Sequence, residues 1–521
     1  MKLKTTLLCA LVLVFVACKK TMNEELEIPG SVSKKNDIKN GDAYNFREVG
    51  SIDIGDLGAA EISTFDPKTN RLFVVNNSTL INKIDVLDFS NPSSPVLIGS
   101  ISMAPYGGAV NSVDAKDGLL AAAIESLNKQ EDGKVAIFRT TDYSEVKVVG
   151  VGALPDMITF SPDGKYILTA NEGEPNTSYT NDPPGTVSII TIKDDYSVAT
   201  LDFSSFASQA AVLKAKGLRI FGLNASFAQD MEPECLTVSN DSRTAWVTLQ
   251  ENNAIAKIDI GSKTITDIFP LGFKNYNLPG NEIDPTDRPN NPFVISFNNW
   301  PAFGMYQPDG IVVWENKGIP YLFTANEGDA REYAALTEET RVSSLALDPV
   351  IFPNAAFLKT ATNMGRLNVT STLGNTDGGD DYEALYSFGA RSFSVWSGLN
   401  GSLLWDSKND LEKKAVAANL YDDDRSDSKG VEPEGITIGI INKGEVNKKV
   451  LAFIGMERAD ALAIYNVTDP LNPVFLQLLK TGDAPEGVLF ISEHDSPTKR
   501  SLLVVSSEND GLIKVYAPAA L

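Results

Sequence analysis

The chain has 521 residues, of which 43% are hydrophobic, and a formal net charge of −23. This composition supports a large packed core, and the charge argues against a nucleic-acid partner, because binding phosphates needs clustered cationic side chains. The charge permits divalent cations or basic partners, although acidity that only keeps the protein soluble is the simpler alternative. Beyond a short N-terminal run, no segment is apolar for long enough to span a bilayer.

The N-terminus has the features of a bacterial targeting signal. A basic start precedes the short apolar run 7–16, and Phe15-Val16-Ala17-Cys18 resembles the lipobox of bacterial lipoproteins. We predict a signal peptide over residues 1–17, an acylated Cys18 that anchors the chain in the lipid bilayer, and a flexible tether over residues 18–45. The protein is then expected in the bacterial cell envelope, at the outer membrane or cell surface. An ordinary secretory peptide cleaved elsewhere is the alternative.

The three cysteines agree with this prediction. Cys9 leaves with the signal peptide and Cys18 carries lipid, so the mature chain keeps only Cys235 and has no intramolecular disulfide. Cys235 lies in a strand pattern, where a buried small residue is expected.

Residues 46–521 are dominated by one repeating unit. It consists of Pro-acid-Gly or a variant, an apolar strand, a turn, a second apolar strand, and Asn-Glu or a variant. The seven copies, of which the first two are degenerate, begin at Ala59, Gly107, Pro155, Pro233, Pro308, Pro433 and Pro485. A third strand follows, such as 134–138, and usually a fourth, such as 474–479. Four antiparallel strands per repeat predict an all-β, seven-bladed β-propeller of the YVTN/WD40-like kind.

The two ends of the chain predict how the ring closes. The last copy has three strands, while residues 46–55 form a strand pattern just before the first copy. Pairing of this N-terminal strand beside residues 513–517 would complete the last blade and remove exposed strand edges.

One face of the predicted propeller collects the long loops and most of the acidic residues. Insertions at 205–231, 271–307, 328–386 and 408–432 all leave from that face, and the first includes a predicted helix over 208–216. Acidic residues open the first strands and close the second strands of five copies, whereas the two degenerate copies are expected to lack the first acid. These candidate metal ligands are Asp156, Glu172, Glu234, Glu251, Asp309, Glu327, Glu434, Glu457, Glu486 and Glu508.

Two interpretations of these acidic columns remain open. All-oxygen ligands suit Ca²⁺ or Mg²⁺, and Ca²⁺ is the cofactor we predict. Alternatively, each carboxylate accepts backbone N–H bonds from a neighbouring blade and only stabilises the repeat. The loop 375–383, rich in Asp and Gly, is a second Ca²⁺ candidate, or simply a solvated acidic loop. The only histidine, His494, is predicted on the opposite face, which excludes a Ser-His-Asp triad among the acids.

Several longer motifs resemble a known family. NEGEPN at Asn171, EPECLTVSNDSRTAWVTLQENNAIAKIDI at Glu232, TANEGDAREY at Thr324 and DRSDSKGVEPEGITIG at Asp424 resemble the choice-of-anchor I domain. The family includes bacterial surface proteins and the mesenchyme-specific cell-surface glycoproteins linked to biomineralisation. The resemblance covers roughly residues 45–520. It implies a propeller outside the cytoplasm and calcium handling, without an established reaction.

Two functions follow as hypotheses. The first is a binding module whose acidic, loop-rich face holds Ca²⁺ together with a protein or glycan partner. The second is a metal-assisted phosphoesterase, similar in logic to propeller phytases, in which Ca²⁺ binds phosphate and activates water. Arg219, Arg331 and Arg425 are then candidate anion-binding residues, although each equally suits a surface salt bridge. We favour the binding module, because no general base or nucleophile is evident.

Overall fold

Seven antiparallel sheets of four strands each make up most of the fold. The computed structural model describes residues 44–78, 82–290, 292–442 and 448–519, so the predicted signal peptide, Cys18 and nearly all of the tether lie outside the described residues. We number the sheets 1 to 7 in the order of their first strands, and within each sheet strands one to four lie side by side. The all-β propeller prediction is confirmed.

The strand bounds follow the repeats of the sequence. The strands of sheets 1 to 3 are Ser63–Asp66, Arg71–Asn76, Lys83–Asp88 and Val96–Ser102; Val110–Lys116, Leu119–Ile124, Asp132–Arg139 and Glu145–Ala153; Pro155–Phe160, Tyr166–Asn171, Thr186–Thr191 and Ser197–Asp202. Those of sheets 4 to 6 are Pro233–Val238, Thr244–Leu249, Ala254–Asp259 and Thr264–Pro270; Ile311–Asn316, Ile319–Asn326, Ser392–Ser397 and Leu403–Asp406; Pro433–Ile441, Lys449–Met456, Ala461–Asn466 and Val474–Lys480. Those of sheet 7 are Pro485–Ile491, Leu502–Ser507, Leu512–Pro518 and Phe46–Asp53.

Sheet 7 joins the two ends of the described chain. Phe46–Asp53 pairs antiparallel with Leu512–Pro518. Phe46 is 2% exposed, and its ring packs edge-to-face against Phe453 of sheet 6 with 5.2 Å between centroids. The predicted closure is therefore confirmed, and it covers the edge that a three-stranded last sheet would expose.

The seven first strands surround a central channel. Each contacts the first strand of the next sheet, and that of sheet 7 contacts that of sheet 1, which completes the ring. Glycine follows the acidic residue in sheets 5, 6 and 7, at Gly310, Gly435 and Gly487. A Cβ at any of these positions would collide with the backbone carbonyl oxygen of the acidic residue in the following sheet. The Pro-acid-Gly motif thus reflects close backbone packing around the channel.

The core lies between neighbouring sheets. Second and third strands are almost wholly buried, as in Thr186–Thr191 and Leu502–Ser507, where every residue is buried. Both faces of these strands pack against adjacent sheets, which explains their continuous apolar character.

The long insertions lie on the face where first strands begin and second strands end, which we call the acidic face. They contain the short strands Phe273–Asn275, Phe303–Met305, Glu332–Tyr333, Leu336–Thr337, Glu339–Arg341, Asn368–Thr370 and Tyr386–Ser387. The α-helices are Ala210–Lys214, Ala355–Leu358 and Asp410–Ala417, and the 3₁₀ turns are Ile192–Asp194, Ser204–Gln209, Val342–Ser344, Met364–Arg366, Asp423–Arg425 and Glu457–Ala459. Among the described residues, no helix has the length and apolar character needed to cross a membrane.

Candidate cation-binding face

The first strands bring their acidic residues to one cavity in the channel. All five acids predicted there line it, namely Asp156, Glu234, Asp309, Glu434 and Glu486. In sheets 3, 4, 6 and 7 the strand register shifts directly after the preceding proline, so the acid occupies a β-bulge. A bulge breaks the pairing locally and re-aims a side chain, and here it accompanies a carboxylate that faces the channel.

Sheet 1 contributes a further acid that the sequence analysis missed. Glu61 stands where the other first strands have their acid, so the expectation that both degenerate copies lack it was wrong for the first. Burial, followed by the Glu508 carboxylate, raises the pKa of Glu61 to about 8, while a hydrogen bond from Asn77 acts in the opposite direction. Alignment of Ala59-Ala60-Glu61-Ile62 with Leu154-Pro155-Asp156-Met157 is the signal that would have found it. Asn111 takes the position in sheet 2 and lines the cavity.

Six acids that lie in the first strands, or two residues before them, form a ring that we call the channel carboxylates. They are Glu61, Asp156, Glu234, Asp309, Glu434 and Glu486. Burial and then the charges of neighbouring carboxylates raise their pKa values, to about 6 for Asp156 and well above the ordinary range for Glu234 and Glu434. Removing water and concentrating like charges both disfavour ionisation, so this ring favours any cation that can neutralise it.

The second column of acidic residues lies just after the ends of the second strands, and one residue predicted for it, Glu251, is displaced from that position. Glu172, Glu327, Glu457 and Glu508 come directly after those strands, as predicted. In sheet 4 the strand ends at Leu249, so Gln250 takes this position and its Nε2 donates to Glu327 Oε2 at 3.1 Å. Glu251 lies one residue later and is only 7% exposed, and its backbone carbonyl accepts a hydrogen bond from Arg219.

The polar contacts of the two acidic columns do not match the interpretation in which each carboxylate accepts backbone N–H bonds from a neighbouring blade. Cys235 Sγ donates to Asp309 at 3.3 Å, and Lys429 Nζ lies 2.6 Å from Glu327 Oε1. Arg458 pairs with Glu457 at 2.9 Å. Within the described part of the chain, no backbone N–H of a neighbouring sheet donates to the side chain of any of the ten predicted acids.

Two groups of carboxylates near the channel have the spacing of metal ligands. Asp309, Glu327 and Glu434 form one, and Glu327, Glu432 and Glu457 form the other, with the ligand atoms of each group within 4.8 Å of one another. Lys429 already neutralises part of both groups, because its Nζ also lies 3.2 Å from Glu432 Oε2.

A third group with this spacing lies in the insertion of sheet 5. It combines Asp348 with Asp381 and Glu383 of the predicted Ca²⁺ loop, with ligand atoms within 4.8 Å. Glu383 Oε1 is buried and accepts no hydrogen bond from the described residues, while Oε2 accepts from the Thr376 backbone and hydroxyl. None of the ion pairs found among the described residues involves these three carboxylates. Asp348 is 33 residues from Asp381, so the sequence pattern does not reveal that the two residues lie together.

The three arginines predicted to bind an anion are all paired with carboxylates. Arg219 pairs with Glu338, and Arg331 pairs with Asp230 and Glu232. Both arginines are 2% exposed, and they enclose the ring of Phe221, with guanidinium carbons 4.1 and 4.4 Å from its centroid. These buried pairs fasten the insertions together and leave neither arginine accessible to an anion from solvent.

Arg425 has the same kind of role at the edge of the channel. Its Nε donates to Glu432 Oε1 at 2.8 Å, and Glu432 is fully buried. All three arginines therefore form salt bridges, although those of Arg219 and Arg331 are buried and not at the surface as the alternative stated.

Two remaining predictions concern single residues. Cys235 is half-buried, lines the channel cavity and also packs against the core cluster that contains Trp246 and Ile311. His494 lies between the first and second strands of sheet 7, on the face opposite the acids as predicted, and its side chain is 95% exposed.

Comparison with known proteins places the chain in a family. The family model of the choice-of-anchor I domain matches residues 61–470. The chain belongs to the choice-of-anchor I family. It is 27% identical over 363 residues to the mesenchyme-specific cell surface glycoprotein of Strongylocentrotus purpuratus, covering 59% of this chain and 45% of that protein. It is 25% identical over 187 residues to Gigasin-3a of Magallana gigas, covering 29% of this chain and 64% of that protein.

The chain thus spans about half to two thirds of the length of these curated relatives. Among solved structures, Kuenenia stuttgartiensis hydrazine synthase covers 90% of this chain and 97% of its own, with a TM-score of 0.47 and 12% identity. The choice-of-anchor I match begins at Glu61 and extends into sheet 6, so it includes five of the six channel carboxylates, all but Glu486. The ring is therefore mostly a feature of the family-matched region.

Proposed function

We propose that this protein is a cell-surface binding module, held in the bacterial envelope by a lipid on Cys18, whose acidic face binds Ca²⁺ together with a protein or glycan partner. The observation that carries the proposal is the convergence of carboxylates from six of the seven first strands on one channel. Membership of the choice-of-anchor I family and the cell-surface name of a relative support a location outside the cytoplasm. Propellers host many functions, so the proposal rests on the site rather than on the fold.

The group Asp348, Asp381 and Glu383 is the first place where we expect Ca²⁺. Ca²⁺ takes six to eight oxygen ligands, often carboxylates combined with backbone carbonyls and water. This group has no basic neighbour among the described ion pairs, and the buried Glu383 Oε1 gains a partner if a cation binds. The Glu327 groups are the second place, because there a cation from solution competes with Lys429.

Thermal melting in the presence of Ca²⁺ tests the proposal. A cation that binds only the folded protein stabilises it by about 2.7 kcal/mol at a hundredfold excess over Kd, so the melting temperature should rise with Ca²⁺ and fall with chelator. Asp381→Asn combined with Glu383→Gln should abolish most of the rise. Asp380→Asn, an exposed change in the same loop, is the matched control and should preserve it.

The second place is tested by the double substitution of Glu327 and Glu457 by Gln. If these acids bind Ca²⁺, the Glu327 and Glu457 double variant should lose the remaining part of the Ca²⁺-induced melting shift, which is the part that the Asp381 and Glu383 variant retains. If calorimetry detects no heat of binding and the melting temperature does not shift at millimolar Ca²⁺, Ca²⁺ binding by this face is rejected.

A further inference from the structure

The channel cavity combines negative charge with an apolar wall. Its volume is about 300 Å³, and carboxylates of five first strands line it. Aliphatic side chains line it as well, namely Ile62, Met157, Ile311, Ile436, Val488 and Leu489. A bare metal ion gains nothing from the aliphatic part, whereas a ligand with a hydrocarbon segment is stabilised by covering that surface.

Three polar atoms of the cavity lining lack partners. The Oε2 atoms of Glu234 and Glu434 are buried and accept no hydrogen bond from the described residues. Ser63 is 7% exposed and lines the same cavity, and its Oγ also makes no hydrogen bond within that part of the chain. Buried polar atoms usually have a partner, so these three atoms give the cavity unused capacity to accept hydrogen bonds from a ligand.

Lys429 shows which donor suits a carboxylate of this cavity. Lys429 extends from the insertion before sheet 6 and places its ammonium 2.6 Å from Glu327, which lines the cavity. The Lys429 side chain is 14% exposed, so its hydrocarbon stem is largely covered. A primary ammonium on an aliphatic chain is thus already bound by one carboxylate of the cavity lining.

We propose that the channel cavity binds a primary ammonium group carried on a linear aliphatic chain, either a free alkylamine or a lysine side chain of a partner protein. The proposal rests on the proposed function, because it names the chemistry of the partner at the same acidic face. An ammonium group supplies three N–H donors for carboxylate oxygens of the cavity, and its chain covers the aliphatic wall. Ca²⁺ in the insertion loop and an ammonium in the channel are compatible.

Calorimetric titration of the full chain with n-pentylamine in the presence of chelator tests the proposal. Methylamine keeps the charge without the chain, and n-pentanol keeps the chain without the charge. We expect pentylamine to bind at least tenfold more tightly than either. Equal affinity for pentylamine and methylamine, or for pentylamine and pentanol, would overturn it.

The two sources of the ammonium are separated by a second pair of probes. A trilysine peptide with blocked termini is compared with the same peptide acetylated on its lysines. Chelator-treated protein that binds trilysine but not its acetylated form supports a partner lysine. Binding of pentylamine without binding of trilysine supports a free amine. Failure of both amines, with the Ca²⁺ melting shift retained, rejects this inference and leaves the proposed function standing.

Two substitutions locate the ligand. Glu434→Gln should weaken pentylamine binding at least tenfold, whereas Glu493→Gln, an exposed change on the opposite face, should leave it unchanged. If Glu434→Gln fails to fold, Glu234→Gln provides the same test at the other unpartnered carboxylate of the cavity. Unchanged pentylamine affinity in a folded variant of either residue would place the amine elsewhere and contradict the proposal.

Discussion

Glu61→Gln is expected to stabilise the protein at neutral and alkaline pH in the absence of divalent cations. Glu61 is half-buried near the Glu508 and Asp156 carboxylates, and its partner is the side-chain amide of Asn77 at 2.9 Å. A glutamine of similar volume can still accept this hydrogen bond through its carbonyl oxygen. The substitution therefore removes a charge and little else.

The sign and size of the effect follow from the pKa of Glu61, which burial and neighbouring charge raise from 4.5 to about 8. Between these values the folded protein keeps a proton that the unfolded chain has lost, so stability is highest at low pH and falls as pH rises through the window. One pH unit corresponds to about 1.4 kcal/mol, which gives an upper limit of about 3 kcal/mol at pH 7. Solvent screens a half-buried carboxyl, so we expect a gain of about 1–2 kcal/mol for the variant.

Urea unfolding at pH 5, 6, 7 and 8, with chelator and constant ionic strength, measures this gain. The two proteins should have similar free energies of unfolding at pH 5 and diverge as pH rises. Glu493→Gln, at an exposed position on the opposite face, controls for the loss of one charge and should follow the parent. Parallel curves for Glu61→Gln and the parent, or a variant that is less stable at pH 8, would show that Glu61 is ionised and stabilised by its neighbours.

Two further predictions concern closure and anchoring. A chain that begins after Gly55 lacks the fourth strand of sheet 7 and the buried Phe46. Its free energy of unfolding should therefore be at least about 3 kcal/mol lower than that of a chain that begins at Lys19. Equal urea midpoints for the two chains would contradict closure by this strand. Cys18→Ser should yield soluble or unprocessed protein while the parent fractionates with membranes, and equal membrane fractions for both would reject the lipid anchor.

The repeat made the fold and most of the channel predictable. Each copy places its acid at the same position of the first strand, so the copies beginning at Pro155, Pro233 and Pro485 were sufficient to predict a ring. Glu61 was missed because the first copy has alanine in place of proline, although the acid itself is retained. Glu251 was assigned to the column in error, because counting from the Asn-Glu pattern does not reveal that the strand ends at Leu249.

The insertions were less predictable, because their paths depend on packing between distant segments. Lys429 belongs to a loop whose sequence gives no signal that its ammonium reaches Glu327, which is 102 residues away. Asp348 likewise approaches Glu383 only because the insertion shares a hydrophobic core with the insertion 271–307, in which Phe352 and Met364 belong to the same cluster as Trp300. Local patterns identify such acids as candidates, but only the folded insertion groups them.

The insertions also make the acidic face electrostatically uneven. Near sheets 5 and 6, Glu432 is buried, yet Lys429 and Arg425 hold its pKa below the ordinary value. Near sheets 7 and 1, Glu61 and Glu486 form no ion pair with any described basic residue, and the pKa of each is raised by burial and by neighbouring carboxylates. The protein's own cations therefore relieve repulsion at Glu432, whereas burial and neighbouring carboxylates raise the pKa values of Asp309 and Glu434 well above the ordinary range on the same side of the channel. A cation from solution gains most where no internal cation competes with it, so beside sheets 7 and 1 it displaces no internal ammonium, whereas at the Glu327 groups it must compete with Lys429.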